Sequence, residues 1–278
     1  MKGINPMTNQ PNHHYFLGIN LIKLRKQIFS KTTSRGIVAI IIAVILWEIC
    51  SRLQVPIIGM IPAPSSVIKS LRSLLMDTFY WESWAVSFKR VFVGFIVAQI
   101  VGIPLGLAMG ISRHFRDLTF PIIEVFRPIP PLAWVPTAVI FWPTPEMSIT
   151  FVTFLGAFFT LVLNILGGVK NVDIRYVRAA KSLGSSNRDI FWRIILPATF
   201  PSLFTGMTVG MGITWEVVVA AEMIASRSGL GFLTWRSYIA GDYPVIVIGM
   251  ISIGVAGYLS SALIRFLGGR LTPWLKIV

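Results

Sequence analysis

Residues 147–169 read MSITFVTFLGAFFTLVLNILGGV, and residues 170–197, which follow directly, read KNVDIRYVRAAKSLGSSNRDIFWRIILP. The first segment carries no charge and exceeds the roughly 20 apolar residues that a helix needs to cross a membrane. The second segment is basic and too long for a turn between two helices. It predicts a short helix that stops at Gly184 and a second amphipathic helix that ends at Pro197. The stretch therefore indicates a membrane helix followed by a structured loop.

The rest of the chain contains further apolar stretches of similar length. Three are free of charge, and two are weaker because they contain charged residues or prolines. The charge-free stretches are Val91–Ile111, Ala198–Trp215 with a continuation beyond Glu216 to Ala221, and Tyr243–Ile264. The weaker stretches are Gly36–Ser51, which contains Glu48, and Leu118–Trp142, which contains Glu124, Arg127 and five prolines. We predict an all-α membrane protein with six transmembrane helices, of which the third is kinked or broken by its prolines.

The composition supports this class, since 54% of the residues are hydrophobic and only 13% are charged, against about 25% charged in a soluble domain. The net charge of +14 is typical of nucleic-acid-binding proteins, but the apolar composition argues against that class. With the N-terminus inside, 17 of the 25 Lys and Arg residues fall in the inner segments 1–35, 112–117, 170–197 and 265–278. The positive-inside rule then predicts that both termini are cytoplasmic.

The predicted spans divide the chain into three parts. Residues 1–35 are predicted to form a cytoplasmic tail with an amphipathic helix at the membrane surface, because apolar residues recur with helical spacing from Leu17 to Ile28. Residues 36–270 form the transmembrane domain, and residues 271–278 form a second cytoplasmic tail. The single cysteine, Cys50, excludes an intrachain disulfide framework.

The loop resembles a known docking motif. Permease subunits of bacterial ABC importers carry the pattern E-A-A-x3-G-x9-I-x-L-P in a loop that docks onto the ATPase subunit. This chain matches it at six positions, which are Ala179, Ala180, Gly184, Ile194, Leu196 and Pro197. It departs at Arg178, where the family usually has Glu. The other interpretation of the loop is a basic segment that only satisfies the positive-inside rule.

Further segments resemble one branch of these proteins, the nitrate, sulfonate, taurine and bicarbonate permeases. They are residues 61–65 (IPAPS), residues 127–136 (RPIPPLAWVP), and Trp215 with residues 220–223 (AAEM). The resemblance implies the type I ABC importer permease fold, a homodimer with a pathway at its interface, and location in the bacterial cytoplasmic membrane. It also implies an external solute-binding protein and ATP-binding subunits that dock on residues 175–195, where Arg178 and Phe191 join the six matched positions.

The chain lacks the sequence motifs of an enzyme. It has no G-x4-G-K-[ST] phosphate loop, no H-E-x-x-H, no G-x-S-x-G and no Cys/His cluster. We therefore expect a non-catalytic subunit that binds no cofactor and no metal, with ATP and Mg held by the partner ATPase.

Arg127 is the leading candidate for a residue that contacts the solute, because ionisable residues within spans commonly mark substrate pathways. The alternative is a structural ion pair with Glu124, three residues earlier. Thr153, Thr160 and Asn164 lie on one face of the fourth span and either line the pathway or serve helix packing. Packing is also the expected role of the glycines that recur at four-residue spacing, namely Gly102, Gly106, Gly110, Gly206 and Gly210. For Glu216 and Glu222 we expect a structural role or a contact with the binding protein.

The function predicted from these features is the permease of an ABC importer for a small anion, such as nitrate, bicarbonate, taurine or an alkanesulfonate. Cyanate and a neutral pyrimidine precursor remain open. The alternative is an ion-coupled secondary transporter or channel with six spans and no ATPase, in which essential carboxylates would lie within the membrane.

Overall fold

The computed structural model describes residues 31–56 and 61–274, and within them the regular structure is helical throughout. In this part of the chain, four helices are long and apolar enough to cross a membrane. In chain order the helices are α1 (Lys31–Arg52), α2 (Pro64–Leu74), α3 (Thr78–Ile111), α4 (Arg113–Phe126), α5 (Val135–Phe141), α6 (Pro145–Lys170), α7 (Ile174–Ser182), α8 (Asn187–Ala225), α9 (Leu230–Ala240) and α10 (Tyr243–Leu271).

The chain divides into two compact units between Ser66 and Val67. In the first unit, α1 contains the predicted first span, and its apolar side chains are largely exposed. Near its end, Glu48 accepts hydrogen bonds from the backbone N–H of Ser65 at 3.0 Å and from the Ser65 hydroxyl at 2.8 Å. Arg52 also pairs with Glu48, at 2.6 Å. These bonds fasten the end of α1 to the start of α2.

In the second unit, α3 and α6 pack side by side in the same direction. Small residues on α3 allow the close approach, since Cβ atoms added at its glycines would meet side chains of α6. The pairs advance together along both helices: Gly94 with Thr153, Gly102 with Leu161, Gly106 with Ile165, and Gly110 with Val169. This confirms the packing role predicted for the α3 glycines. Because both helices begin at the same end of the bundle, residues 112–144 must return from one end to the other.

α8 also packs against α6 and runs in the opposite direction. Gly156 of α6 faces Ile213 and Val217, whereas Gly168 faces Ser202, nearer the start of α8. α10 is antiparallel to α8, because Gly257 and Gly268 of α10 meet Trp215 and Phe204 of α8, respectively. The ends of α3, α6 and α10 and the start of α8 therefore share one end of the bundle. We name it the loop end because it carries residues 170–187, and we name the other end the distal end.

The segment predicted as the third span returns between these ends in pieces. α4 ends at Phe126, a 3-10 turn covers Pro131–Trp134, and α5 follows from Val135. Prolines at positions 128, 130 and 131 explain the break, because each lacks a backbone donor and restricts the residue before it. The prediction of a kinked or broken helix is confirmed.

Two helix boundaries differ from prediction. α3 begins at Thr78, well before Val91, so Lys89 and Arg90 lie inside the helix and not at its end. The second loop helix does not end at Pro197 but continues to Ala225 as part of α8. A π-helical turn over Phe191–Ile195 explains the continuity, because its wider spacing accommodates the ring and missing donor of the following proline. The predicted amphipathic helix over residues 17–28 lies outside the described residues.

Close packing of α3 on α6 predicts opposite effects of alanine at two glycines. A Cβ at Gly110 would lie 2.5 Å from the Val169 Cβ, whereas one at Gly254 of α10 meets nothing within 4 Å. We expect Gly110→Ala to lower the free energy of unfolding by about 1–3 kcal/mol, because the helices must move apart. Gly254→Ala should leave stability unchanged or raise it by up to about 1 kcal/mol through helix propensity. Thermal unfolding of both variants in detergent measures the difference, and equal midpoints would contradict the packing.

Candidate functional site

The loop between α6 and α8 is a folded unit at the loop end. Asp173 caps α7 by accepting a hydrogen bond from the backbone N–H of Arg175 at 2.8 Å. The side-chain hydrogen bond from Arg175 also holds the pKa of the Asp173 carboxyl below its usual value, so the cap stays ionised at more acidic pH than an unperturbed Asp. Gly184 has φ of 81°, a conformation that favours glycine.

Two backbone hydrogen bonds complete the turn after α7. The N–H of Ser185 bonds to the carbonyl of Ala180, and the N–H of Gly184 bonds to the carbonyl of Lys181, both at 3.0 Å. This is the Schellman arrangement, so the predicted glycine stop is confirmed. The next helix is capped by Ser186, whose hydroxyl accepts a hydrogen bond from the Asp189 N–H at 3.1 Å.

A groove of about 410 Å³ lies between α7 and the first turns of α8. Its lining residues are Ala180, Leu183, Gly184, Ser185, Asp189, Ile190, Arg193 and Ile194. Three residues of the docking motif, Ala180, Gly184 and Ile194, therefore line one surface. Arg178 and Ala179 are exposed on α7, while Phe191, Leu196 and Pro197 are half-buried in the first part of α8. This groove can receive a protruding element of another protein.

The structure pairs Arg127 with Glu124. Their closest atoms, Arg127 Nη1 and Glu124 Oε1, are 3.4 Å apart, and the two side chains are 47% and 40% exposed. This contact is the ion pair predicted as the alternative to a solute contact. Both side chains remain accessible at the break between α4 and the 3-10 turn.

The predicted polar face of α6 lies among neighbouring helices. Thr153 is fully buried against α3 and donates a hydrogen bond to the carbonyl of Ile149. Asn164 approaches Gly206 of α8 and donates a hydrogen bond to the carbonyl of Thr160 at 2.8 Å. Thr160 and Asn164 are half-buried. Within one copy of the chain, Thr153 and Asn164 make helix-packing contacts of the kind described by the second interpretation, as does Gly206.

A buried ionic cluster, defined here as Ser87, Arg90, Glu146 and Glu222, lies near the distal end. Arg90 of α3 is 2% exposed, Glu222 of α8 is fully buried, and Arg90 Nη1 donates to Glu222 Oε1 at 2.9 Å. Arg90 also donates through two nitrogens to Glu146 at the start of α6. Glu146 is 61% exposed, so the cluster reaches from the protein interior to the surface.

Further hydrogen bonds supply donors to the carboxylate oxygens of Glu222 and join the cluster to the start of α9. Glu222 accepts from the Ser87 hydroxyl at 2.8 Å and from the Gly231 N–H at 2.9 Å. Ser87 in turn accepts from the Leu230 N–H at 2.9 Å. Gly229 has φ of 108°, and a Cβ at this position would collide with the Glu222 carboxylate. The cluster therefore locks α3, α6, α8 and α9 together.

The sequence prediction missed this cluster because it began the apolar span at Val91, which left Lys89 and Arg90 just outside it. The available signal was Glu222, since a carboxylate within an apolar helix is buried at low cost only with a cationic partner. The structural role expected for Glu222 is nevertheless the one that this geometry supports. Within residues 31–56 and 61–274, no group of three or more His, Cys, Asp or Glu side chains forms a potential metal site.

Comparison with known proteins identifies relatives of this architecture. The family described as "Binding-protein-dependent transport system inner membrane component" matches residues 102–277. The taurine transport system permease protein TauC of Escherichia coli is 36% identical over 87% of this chain and 90% of its own length. The nitrate import permease protein NrtB of Synechocystis is 34% identical over 88% of this chain and 92% of its own length.

Among solved structures, the inward-facing MetNI methionine ABC transporter aligns with a TM-score of 0.54 at 20% identity. The alignment covers 73% of this chain and 97% of the matched chain. At this level of identity the similarity is one of fold, and it confirms the expected permease architecture.

The cluster predicts a hierarchy of substitution effects. Arg90→Met should lower the free energy of unfolding by about 3–5 kcal/mol, because Glu222 is left buried without a cation. Glu146→Gln should cost about 1 kcal/mol or less, because that carboxylate is largely exposed and the Arg90–Glu222 pair survives. The double variant Arg90→Met/Glu222→Met should recover much of the loss, which a thermal-unfolding double-mutant cycle measures. Equal losses for the two single variants would contradict the assignment of Arg90–Glu222 as the central pair.

Proposed function

We propose a transport function for this chain from the premise that it belongs to the binding-protein-dependent transport system inner membrane component family. The proposed role is the membrane permease of an ABC importer for a small anionic or sulfonated solute, with nitrate, bicarbonate, taurine and alkanesulfonates as candidates. The relatives named for taurine and nitrate transport, similar over most of their length, support this choice. The observation that carries it is the folded loop, in which three motif residues, Ala180, Gly184 and Ile194, line a single groove.

The proposed partner at this groove is an ATP-binding subunit. The groove is rigid, because the Schellman turn, the Asp173 cap and the Ser186 cap fix both of its walls. α8 extends from the groove through the bundle as one continuous helix that includes the π-helical turn. Movement of a docked ATPase would therefore be transmitted directly to the membrane helix. Hydrolysis of ATP, with its Mg, belongs to that partner, and this chain is the non-catalytic component.

The proposed assembly contains two copies of this chain, lipid around them and an external solute-binding protein. The loop end is assigned to the cytoplasm, because the basic loop lies there and positive charge accumulates on that side. The broken segment at Arg127 is assigned to the solute pathway, since irregular backbone at membrane depth is tolerated where it is buried in protein or lines a water-filled cavity. Thr153, Thr160 and Asn164 remain candidates for the pathway only if the helices separate during transport.

Filling the groove should release the ATPase. Ala180→Phe places an aromatic ring in the groove, whereas Ser182→Phe adds the same ring to α7 at an exposed position outside the lining. We expect Ala180→Phe to reduce the ATPase subunit that co-purifies in detergent by about tenfold, a loss near 1.4 kcal/mol. Ser182→Phe should retain it. Undiminished ATPase with Ala180→Phe, or uptake that needs no ATPase, would contradict the proposed docking and favour an ion-coupled transporter.

Arg127→Gln should impair transport without loss of assembly. Removing one charge-assisted hydrogen bond of about 1.5 kcal/mol should raise the KM for uptake roughly tenfold. Arg227→Gln, at an exposed position beyond α8, is the matched control and should leave KM unchanged. Uptake of labelled taurine and nitrate by cells that express the whole transporter provides the measurement. If Arg127→Gln changes the KM of neither solute, Arg127 does not contact the solute and serves only as the ion-pair partner of Glu124.

A further inference from the structure

Glu216 is an exposed carboxylate on a membrane-crossing helix. It follows a run of α8 that is free of charge from Ala198 to Trp215. Among the residues that the structure describes, Glu216 forms no ion pair and no side-chain hydrogen bond, in contrast to Glu222 on the same helix. The exposed position one turn earlier on its face is Gly212, where an added Cβ meets nothing within 4 Å.

Contacts with α6 place Glu216 deep in the bundle. Its neighbour Val217 packs against Gly156, together with Ile213. Gly156 lies within the charge-free stretch Met147–Val169, roughly 14 Å from its start and 20 Å from its end at 1.5 Å per residue. Glu216 is therefore near the middle of the apolar layer. A carboxylate at this depth is not stable against lipid and faces either protein or water.

The pair of Glu124 and Arg127 also lies within the apolar layer. Ile123, next to Glu124, is buried in a cluster with Met109, Val162 and Leu166, and Phe158 and Phe159 pack against this cluster. These contacts place Glu124 nearer the loop end than Glu216. The charge-free stretches of α3, α6 and α10 contribute no ionised group at this level. Among the residues that the structure describes, the exposed charges of the second unit within the apolar layer are thus Arg127, Glu124 and Glu216, with a sum of −1. A simple anion that passed all three groups would meet net repulsion.

We propose that Glu216 faces the solute pathway and selects a solute that bears a positively charged group in addition to its anionic group. Such a solute is a small zwitterion of the aminosulfonate type. Its sulfonate suits Arg127, and its ammonium suits Glu216. The proposal rests on the proposed transport function and narrows its solute class, because nitrate and bicarbonate have no group for the Glu216 carboxylate.

A thiol-labelling experiment tests the pathway and its charge selectivity without a known solute. The transporter with its ATPase is placed in nanodiscs, which expose both membrane faces, and Cys50→Ser removes the single native thiol. Gly212→Cys then reports on the face of Glu216, and Ile100→Cys on the exposed apolar face of α3 is the matched control. The probes are a trimethylammonium-ethyl and a sulfonatoethyl methanethiosulfonate, which differ in the sign of their charge.

We expect the thiol introduced by Gly212→Cys to react with both probes and faster with the cation, while the control position stays unreactive. Glu216→Gln should reduce the ratio of cation to anion rates roughly tenfold, as expected for loss of one charge in a confined cleft. An unreactive thiol at position 212 would overturn the pathway assignment. A rate ratio that does not change with Glu216→Gln would overturn the selectivity.

Uptake distinguishes this proposal from the proposed function itself. Taurine and isethionate differ only by an ammonium in place of a hydroxyl, so their uptake ratio isolates the positive group. We expect Glu216→Gln to lower taurine uptake relative to isethionate about tenfold, with ATPase co-purification unchanged, while Glu82→Gln at an exposed site near the start of α3 has no effect. An unchanged ratio overturns the Glu216 assignment alone, whereas a transporter without an associated ATPase overturns the proposed function.

Discussion

The other structural features of the second unit depend on the close packing of α6 against α3 and α8. In lipid, apolar side chains gain nothing from avoiding the solvent, so helices associate through van der Waals contact and close approach. The α3 glycines meet successive α6 side chains in fixed register, and Gly156, Gly168, Gly206 and Gly210 serve the contact of α6 with α8. The parallel course of α3 and α6 then requires a return segment between them. The broken helix near Arg127 is that segment, and most of its residues from Arg127 to Ala133 are exposed beside the closely packed helices.

The buried ionic cluster is the polar counterpart of this packing. Glu222 is fully buried, yet its charge is balanced by Arg90 and its oxygens accept from Ser87 and the Gly231 N–H. A cluster satisfied in this way holds its helices in one arrangement, because any displacement leaves a charge without a partner. Exposed pairs such as Arg113–Asp117 impose no such constraint, since water replaces either partner at little cost. The buried ionic cluster thus holds the helices together at the distal end, and close packing at the glycines holds them together in the middle of the bundle.

The sequence predicted the features that depend on local patterns. Charge-free stretches identified the four long helices, prolines identified the broken segment, and Gly184 identified the turn after α7. The partner of Glu222 was not predictable, because Arg90 is 132 residues away and no local pattern encodes that contact. Pro197 was misleading for a related reason: a proline ends a regular helix, but the preceding π-helical turn absorbs it. Features that a short stretch of sequence determines were predicted, whereas contacts between residues far apart in the sequence were not.

The two carboxylates of α8, Glu222 and Glu216, lie in different surroundings, and the difference distinguishes a structural role from a functional one. Glu222 demonstrates that this fold can bury and neutralise a carboxylate completely, with a cation, a hydroxyl and a backbone donor brought together for it. Glu216 lies less than two turns away on the same helix, and the described residues provide no partner for it. A charge at mid-depth is costly wherever it has no function, and a neutral residue would pack there equally well. A carboxylate that the protein leaves accessible at this depth is therefore suited to a contact outside its own fold, and a positively charged group is the partner that a carboxylate favours.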